Sequence, residues 1–308
     1  MDDVTGDSFT LQDLACAIPS KCSIERVPDL SSMKSSDEDS NLLGSDGLPV
    51  RLSGEWIRRK HHYLDRYCAI TATGMKNRFS ERVFLDVMSG PGLCRIKDSG
   101  EELSGSPLIA MEHDFTKFVF VESDGDLATA LEKRIQNHPK AKLSTVIHRD
   151  WTREVAAGRL TFSEGLVVAF VDPTGIKQMP WEAMKQLLTL NPKIDILATL
   201  HYAMGITLNV YQYLESGSEQ TTALDTFLGE RDWRSWPREA TDAAFTARVI
   251  NRWVEKLGAL GFQGSRQITV EANGSPLYRL ALFSRHPKAD EFWRKIATVD
   301  ESGQRELL

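Results

Sequence analysis

The chain has 308 residues, 41% of them hydrophobic and 26% charged, with a formal net charge of −6. That length and apolar content suffice for one sizeable core. No apolar run approaches the roughly 18 residues of a membrane span, and Met1-Asp2-Asp3 puts acids where a signal peptide carries positive charge, so a cytoplasmic protein away from membranes is expected. The acidity is local. Residues 1–50 hold ten acids and three bases, leaving 33 acids against 34 bases in the rest. A near-neutral body offers a nucleic-acid backbone no strong field, which makes nucleic acid an unexpected partner. Cys16, Cys22, Cys68 and Cys94 form no C-x-x-C pair, so no metal site and no disulfide framework is expected.

In chain order, residues 1–52 read as an acidic, Asp/Ser-rich and mostly disordered leader, with a short helix over residues 10–17 capped by Thr10. The organised domain is expected over residues 53–308. Ser53 has the character of a helix cap for residues 53–74, where Trp56, Ile57, Tyr63, Leu64, Tyr67 and Cys68 make an apolar stripe at three- and four-residue spacings. The basic run from Arg58 to His62 reads first as a solvated face. A helix just upstream of the first strand can fold over a ligand, however, so Lys60 and His61 are candidate substrate contacts.

Val83-Phe84-Leu85-Asp86-Val87-Met88-Ser89-Gly90-Pro91-Gly92 is the stretch the rest is arranged around. A β-prone apolar run carrying one acid empties into a glycine turn, which predicts a buried parallel strand with a ligand beyond its carboxyl end. Residues 93–103 read as a polar loop, after which Pro107 opens a helix with Ser104 or Ser106 at its cap; the amino end of that helix favours a carboxylate.

Further strands are predicted at 118–122, 143–148, 166–171 and 194–201, alternating with helices at 125–136 and from Pro180-Trp181 to about 190. The pattern lapses over residues 214–241, although Trp233 and Trp236 predict that this insertion folds onto the body. A helix at 243–260 follows, then a hairpin around Asn273-Gly274 and a last helix at 289–298. The fold class is α/β: a doubly wound, mostly parallel sheet with an antiparallel carboxyl-terminal hairpin.

Acids recur at successive strand ends. A dinucleotide wants Gly-x-Gly-x-x-Gly with its helix at once, but Arg95 holds the third glycine position and the helix is delayed. S-adenosylmethionine wants a glycine turn for its amino-acid end, an acid on the second strand for the ribose diol and an acid after the third for the adenine amino group. Asp86, the Ser89-Gly90-Pro91-Gly92 turn, Ser106, Glu122 and Asp150 supply that set in order. A carboxylate suits a diol because it accepts two charge-assisted hydrogen bonds. Taken singly, each acid reads better as a cap or turn residue; four in register at successive strand ends favour the site. Asp172-Pro173-Thr174-Gly175 ends the central strand beside the expected methyl position, so Asp172 is a candidate for both cofactor and catalysis. Pro173 and Thr174 are candidate substrate contacts, and stacking on a flat substrate falls to Trp181 or Tyr202. His201 is a candidate base.

Lys60-His61-x-Tyr63-Leu64-x-x-Tyr67, Asp86-x-x-x-Gly90-Pro91-Gly92, Gly105-Ser106-Pro107-Leu108, Glu122 and Asp172-Pro173-x-Gly175, with Trp181 and Asp195, resemble the three-Cys-motif partner proteins. The resemblance runs from about Lys60 to the end of the fifth strand, with departures at Thr174, where an aromatic is usual, and at Met88-Ser89. It implies a Rossmann-like class I methyltransferase fold and a cysteine-motif, radical SAM-like partner protein encoded alongside. The expected function is S-adenosylmethionine-dependent methyl transfer to N or O of a small molecule. The alternatives are a nucleobase methyltransferase and a non-catalytic methyltransferase-like partner protein.

Overall fold

The computed structural model describes residues 42–162, 164–201, 206–215, 220–265, 267–272 and 275–299. The helix expected at 10–17, Cys16, Cys22, Tyr202 and the Asn273-Gly274 turn lie outside them.

The described chain opens with β1 (Arg51–Ser53) and α1 (Ile57–Gly74). The sequence places a helix cap at Ser53, but Ser53 is the last residue of β1, paired in parallel with Ile96; its backbone is spent on a ladder and the helix starts four residues later. Next come β2 (Arg82–Asp86), β3 (Leu93–Ile96), β4 (Glu102–Ser104) and α2 (Ser106–Met111). The loop expected over residues 93–103 is therefore a hairpin, which makes a small sheet in the order β1-β3-β4. Three- and four-residue strands are too short to show a hydrophobic period, so the sequence gives no sign of this sheet. Val50, just before β1, is 2% exposed, so the end of the acidic segment packs on the body.

The remaining elements are β5 (Lys117–Glu122), α3 (Gly125–Gln136), β6 (Ser144–His148), α4 (Trp151–Ala156), β7 (Leu166–Val171), α5 (Trp181–Thr189), β8 (Ile194–Leu200), α6 (Val210–Glu215), α7 (Ala223–Leu228), α8 (Asp242–Ala259), β9 (Gln263–Gly264), β10 (Ile268–Ala272), β11 (Ser275–Ser284) and α9 (Pro287–Ala297). Local chemistry explains many of their boundaries. Asp124 and Asp150 accept two backbone N–H bonds each at the starts of α3 and α4. Thr222 and Asp225 form a capping box on α7, and Thr241 caps α8.

The main sheet runs β6-β5-β2-β7-β8-β11-β10. The strands β6, β5, β2, β7 and β8 are mutually parallel, while β11 is antiparallel to both neighbours. Every residue of β2, β7 and β8 is buried, because helices cover both faces. Alternate residues divide the core in two. Val83, Leu85, Val167 and Ala169 face Trp181, Leu187, Phe227 and Trp253; Phe84, Phe118, Phe120 and Phe170 face Tyr63, Tyr67, Leu131 and Trp293. The inserted segment does fold onto the body. Trp233 is buried and donates its ring N–H to Asp225 Oδ1 at 2.8 Å, and its ring packs edge-on against Phe245. Among the described residues no helix is long and apolar enough to cross a membrane.

The chain leaves β2 for β5 and β6 on one side and returns to β7 and β8 on the other. The strand order therefore reverses at β2, and the crevice beyond its carboxyl end is where such sheets hold a ligand.

Candidate active site

The turn after β2 is held from several sides. Ser89 donates both its N–H (3.0 Å) and its hydroxyl (3.2 Å) to Val121 O, tying the turn to β5. Gly90 lies at φ +63° and donates its N–H to Glu122 Oε2 at 2.7 Å, while Glu122 Oε1 accepts from Asp124 N at 3.0 Å. Glu122 is thus brought onto the glycine turn; Oε2 keeps a second lone pair for a ligand, while Oε1 also accepts from the Ser123 hydroxyl at 3.4 Å. Gly92 is at φ +88°, where a Cβ would meet Leu131 at 2.9 Å, and its carbonyl accepts from Gly105 N at 2.8 Å. Pro91 O accepts from Arg134, which also holds Asp46, Leu48 O and Pro49 O. Arg134 is a positioning residue that the sequence reading missed.

Asp86 is fully buried at the end of β2. Its Oδ1 accepts from Met88 N at 3.2 Å, and its Oδ2 has no hydrogen-bond partner. Burial pushes its carboxyl up to about 7, and the Ser106 hydroxyl and the Met88 amide only partly pull it back. A buried acid with an unspent oxygen beside a glycine turn is suited to a donor-rich ligand.

A second cluster lies on the same rim, where β7, β8, β11 and α1 converge. Lys60 Nζ is ion-paired with Asp172 Oδ2, and Asp172 Oδ1 is buried without a partner. Burial opposes ionisation of Asp172, but the Lys60 charge and hydrogen bond hold its carboxyl below the ordinary range. Lys60 also sits 5.6 Å from the ring centre of Tyr278 on β11, whose own ring is 5.1 Å from that of His201. His201 Nδ1 and the Tyr278 hydroxyl are both buried and unpartnered. Burial depresses His201 to about 4 and His61 to about 3, so both are neutral at pH 7, and it keeps Tyr278 protonated. The Cys94 thiol, raised by burial, feels the charges of Lys60, Arg51 and Asp172, which places Arg51 in the same neighbourhood. The Arg51 side chain lies 3.8 Å from where a Gly90 Cβ would stand.

Lys60, His61, Asp172 and His201 are therefore brought together, and Asp86, Ser89, Gly90, Pro91, Gly92, Ser106 and Glu122 form the adjoining turn. Asp150 is exposed and caps α4 through Oδ1. Pro173 is buried, and Thr174 is exposed with its N–H and hydroxyl on Gln178 Oε1. Trp181 does not join the cluster. It is 6% exposed, packed edge-on to Trp253 and beneath Lys256, on the face of the sheet that Trp253 fills. Asp195, at the opposite end of β8, accepts from Tyr67 and Ser284 and serves the core. Arg51 and Tyr278 went unrecognised because one lies in the presumed leader and the other in a hairpin strand of ordinary pattern; only strand order carries them to the rim.

The antiparallel β11 lies between β8 and β10, at the edge of a parallel sheet whose order reverses at a glycine turn. This is the Rossmann-like class I methyltransferase fold. Neither a protein-family model nor a curated protein matches the sequence. Among solved structures the chain is similar to a Legionella pneumophila protein at 13% identity, over 82% of this chain and 95% of that one, with a TM-score of 0.47. It is similar to an O-methyltransferase from Bacillus cereus in complex with SAH at 10% identity, over 73% and 80%, with a TM-score of 0.46. It is also similar to the O-methyltransferase TomG from Streptomyces achromogenes in complex with SAM at 11% identity, over 75% and 80%, with a TM-score of 0.42. Likeness of this degree says nothing about chemistry; the topology stands on the strand pairing, and the site on this chain's own residues.

Proposed function

We propose that this methyltransferase-fold protein is an S-adenosylmethionine-dependent enzyme that methylates a protic N or O of an uncharged small molecule. The observation that carries the reading is the row of buried polar atoms without partners along one rim: Asp86 Oδ2 at the glycine turn, then Asp172 Oδ1, His201 Nδ1 and the Tyr278 hydroxyl. A native core leaves few such groups unpaired, and four of them along one ligand-binding rim are suited to a polar ligand or the ordered water it would displace.

The residues present fit the cofactor. Glu122 Oε2 has a lone pair for a ribose hydroxyl, Asp86 can accept from the ammonium group, and Arg51, which pairs with no carboxylate among the described residues, can meet the carboxylate. When bound, S-adenosylmethionine supplies an electrophilic methyl group. The chain supplies orientation and a proton acceptor. Asp172 Oδ1 can hold the N–H or O–H of the substrate, and His201 Nδ1, in the tautomer that leaves it bare, can accept the proton. Lys60 keeps Asp172 ionised and fixed.

Charge narrows the substrate. Lys60 and Asp172 cancel, and His61, His201 and Tyr278 are neutral at pH 7, so with Arg51 engaged by the cofactor carboxylate these groups carry no net charge. An ammonium or carboxylate acceptor would have to shed its water without compensation; an alcohol, phenol, amide or heterocyclic N–H would not.

Of the motif residues shared with the three-Cys-motif partner proteins, Lys60, Asp86, Gly90, Glu122 and Asp172 meet at this rim, while Trp181 and Asp195 lie elsewhere in the core. That supports membership of the family, and with it a cysteine-motif partner. Calorimetric titration of the folded protein with S-adenosylmethionine tests the reading: saturable one-site binding is expected, and absence of heat would favour a non-catalytic role.

A further inference from the structure

A cavity of about 170 Å³ opens at the other end of the sheet. Strand polarity fixes its place. Leu166 and Ile194, which begin β7 and β8, line it together with Ser284, which ends antiparallel β11, so it lies on the rim opposite the glycine turn. No residue of the candidate active site lines it. The end of α1 and the start of α9 close its sides, and Met75, Phe79, Pro192 and Phe292 give it apolar walls. A cavity of about 150 Å³ with such walls can admit a benzene ring.

Its charge is unbalanced. Arg78, Lys193 and Arg285 line it, and none of the three meets a carboxylate among the described residues. Lys193 bonds Glu164 O at 2.8 Å and sits 5.4 Å from the centre of the Phe79 ring. Arg78 lies 5.8 Å from the same ring centre. Arg285 stacks on Phe262 and bonds the carbonyls of Leu188 and Leu260. Lys288, also on the wall, is paired with Glu291, which it shares with Lys295. Among the described residues the one acid lining the cavity, Asp195, has Oδ1 taken by the Ser284 hydroxyl and Oδ2 by the Tyr67 hydroxyl. Thr71 lines the same hollow, with its hydroxyl oxygen buried behind it next to Tyr67. Cations left unpaired beside a low-dielectric wall attract an anion several times more strongly than they would in bulk water.

We propose that this cavity binds a small aromatic or branched organic carboxylate, with its apolar part against Met75, Phe79 and Phe292 and its charge against Arg78 and Lys193. Such a site is separate from methyl transfer and needs no cofactor. The test is calorimetric titration of the full chain with benzoate, alongside benzyl alcohol as the uncharged ring and acetate as the charge without a ring.

The expected result is saturable benzoate binding that weakens at least tenfold in the Arg78→Ala, Lys193→Ala double variant. Both side chains belong to exposed residues, so an unchanged melting temperature will show that this variant is folded. A Lys133→Ala control, on exposed α3 surface, should bind as the wild type does. Benzyl alcohol and acetate should each bind at least tenfold more weakly than benzoate. Undiminished binding in the double variant, benzyl alcohol or acetate binding as tightly as benzoate, or failure of benzoate to saturate would each overturn the proposal.

Discussion

Lys60 and Asp172, 112 residues apart in the chain, form an ion pair that ties α1 to the carboxyl end of the central strand β7. The pair sits under partial cover, with 11% and 20% of the two side chains exposed, and it leaves Asp172 Oδ1 as the one unspent oxygen. Lys60→Met should let the Asp172 carboxyl rise toward neutrality and should reduce methyl transfer by about 100-fold or more, the scale of a lost general acid–base arrangement. Stability should fall by about 1 to 3 kcal/mol from the unpaired charge. Turnover and thermal melts together check this. A variant that melts early but turns over normally would show that the pair serves only the fold.

Glu122→Ala removes the acceptor of the Gly90 N–H as well as the expected ribose contact. Cofactor affinity should drop about tenfold or more, the cost of charge-assisted hydrogen bonds. Calorimetry with S-adenosylmethionine reads it, and Glu122→Gln, which still accepts but carries no charge, should fall between the two.

Asp86 gives a pH signature. Its folded carboxyl is raised from 3.8 to about 7 by burial, so between those values the native state holds a proton that the unfolded chain has released. The stability it contributes is full below about 3.8 and is lost as pH rises toward 7. At 1.36 kcal/mol per unit, the swing is on the order of a few kcal/mol. Asp86→Asn should remove that slope. Denaturant melts of the two proteins at pH 5 and pH 7.5 decide, and equal pH dependence would mean that Asp86 is not held protonated.

Gly165 matters through a neighbour rather than through its backbone angle. A Cβ there would stand 2.5 Å from Glu81 O and 3.0 Å from its carbonyl carbon, both backbone atoms that cannot turn aside. Gly165→Ala should therefore cost about 1 to 3 kcal/mol by forcing the start of β7 away from β2. Gly158→Ala is the contrast: open space surrounds it, so only its φ of +63° is penalised.

The sequence by itself determined the parallel strands, most of the helices and the rim on which the site lies. Those signals are local or nearly so. Strands buried on both faces are apolar at every position, Asp124 cap chemistry is written within three residues, and glycines with positive φ mark their own turn. Tertiary structure alone decided what stands around that turn. Arg51 reaches Gly90 through a three-residue strand with no detectable period, and Tyr278 reaches Lys60 because the last strand wedges between two earlier ones. Trp181 looks like a stacking residue in sequence and is core, since only packing chooses which face of α5 meets Trp253. Side-chain partnership across a hundred residues depends on which strands neighbour one another, and that order follows from burying both faces of the sheet at once rather than from any single segment.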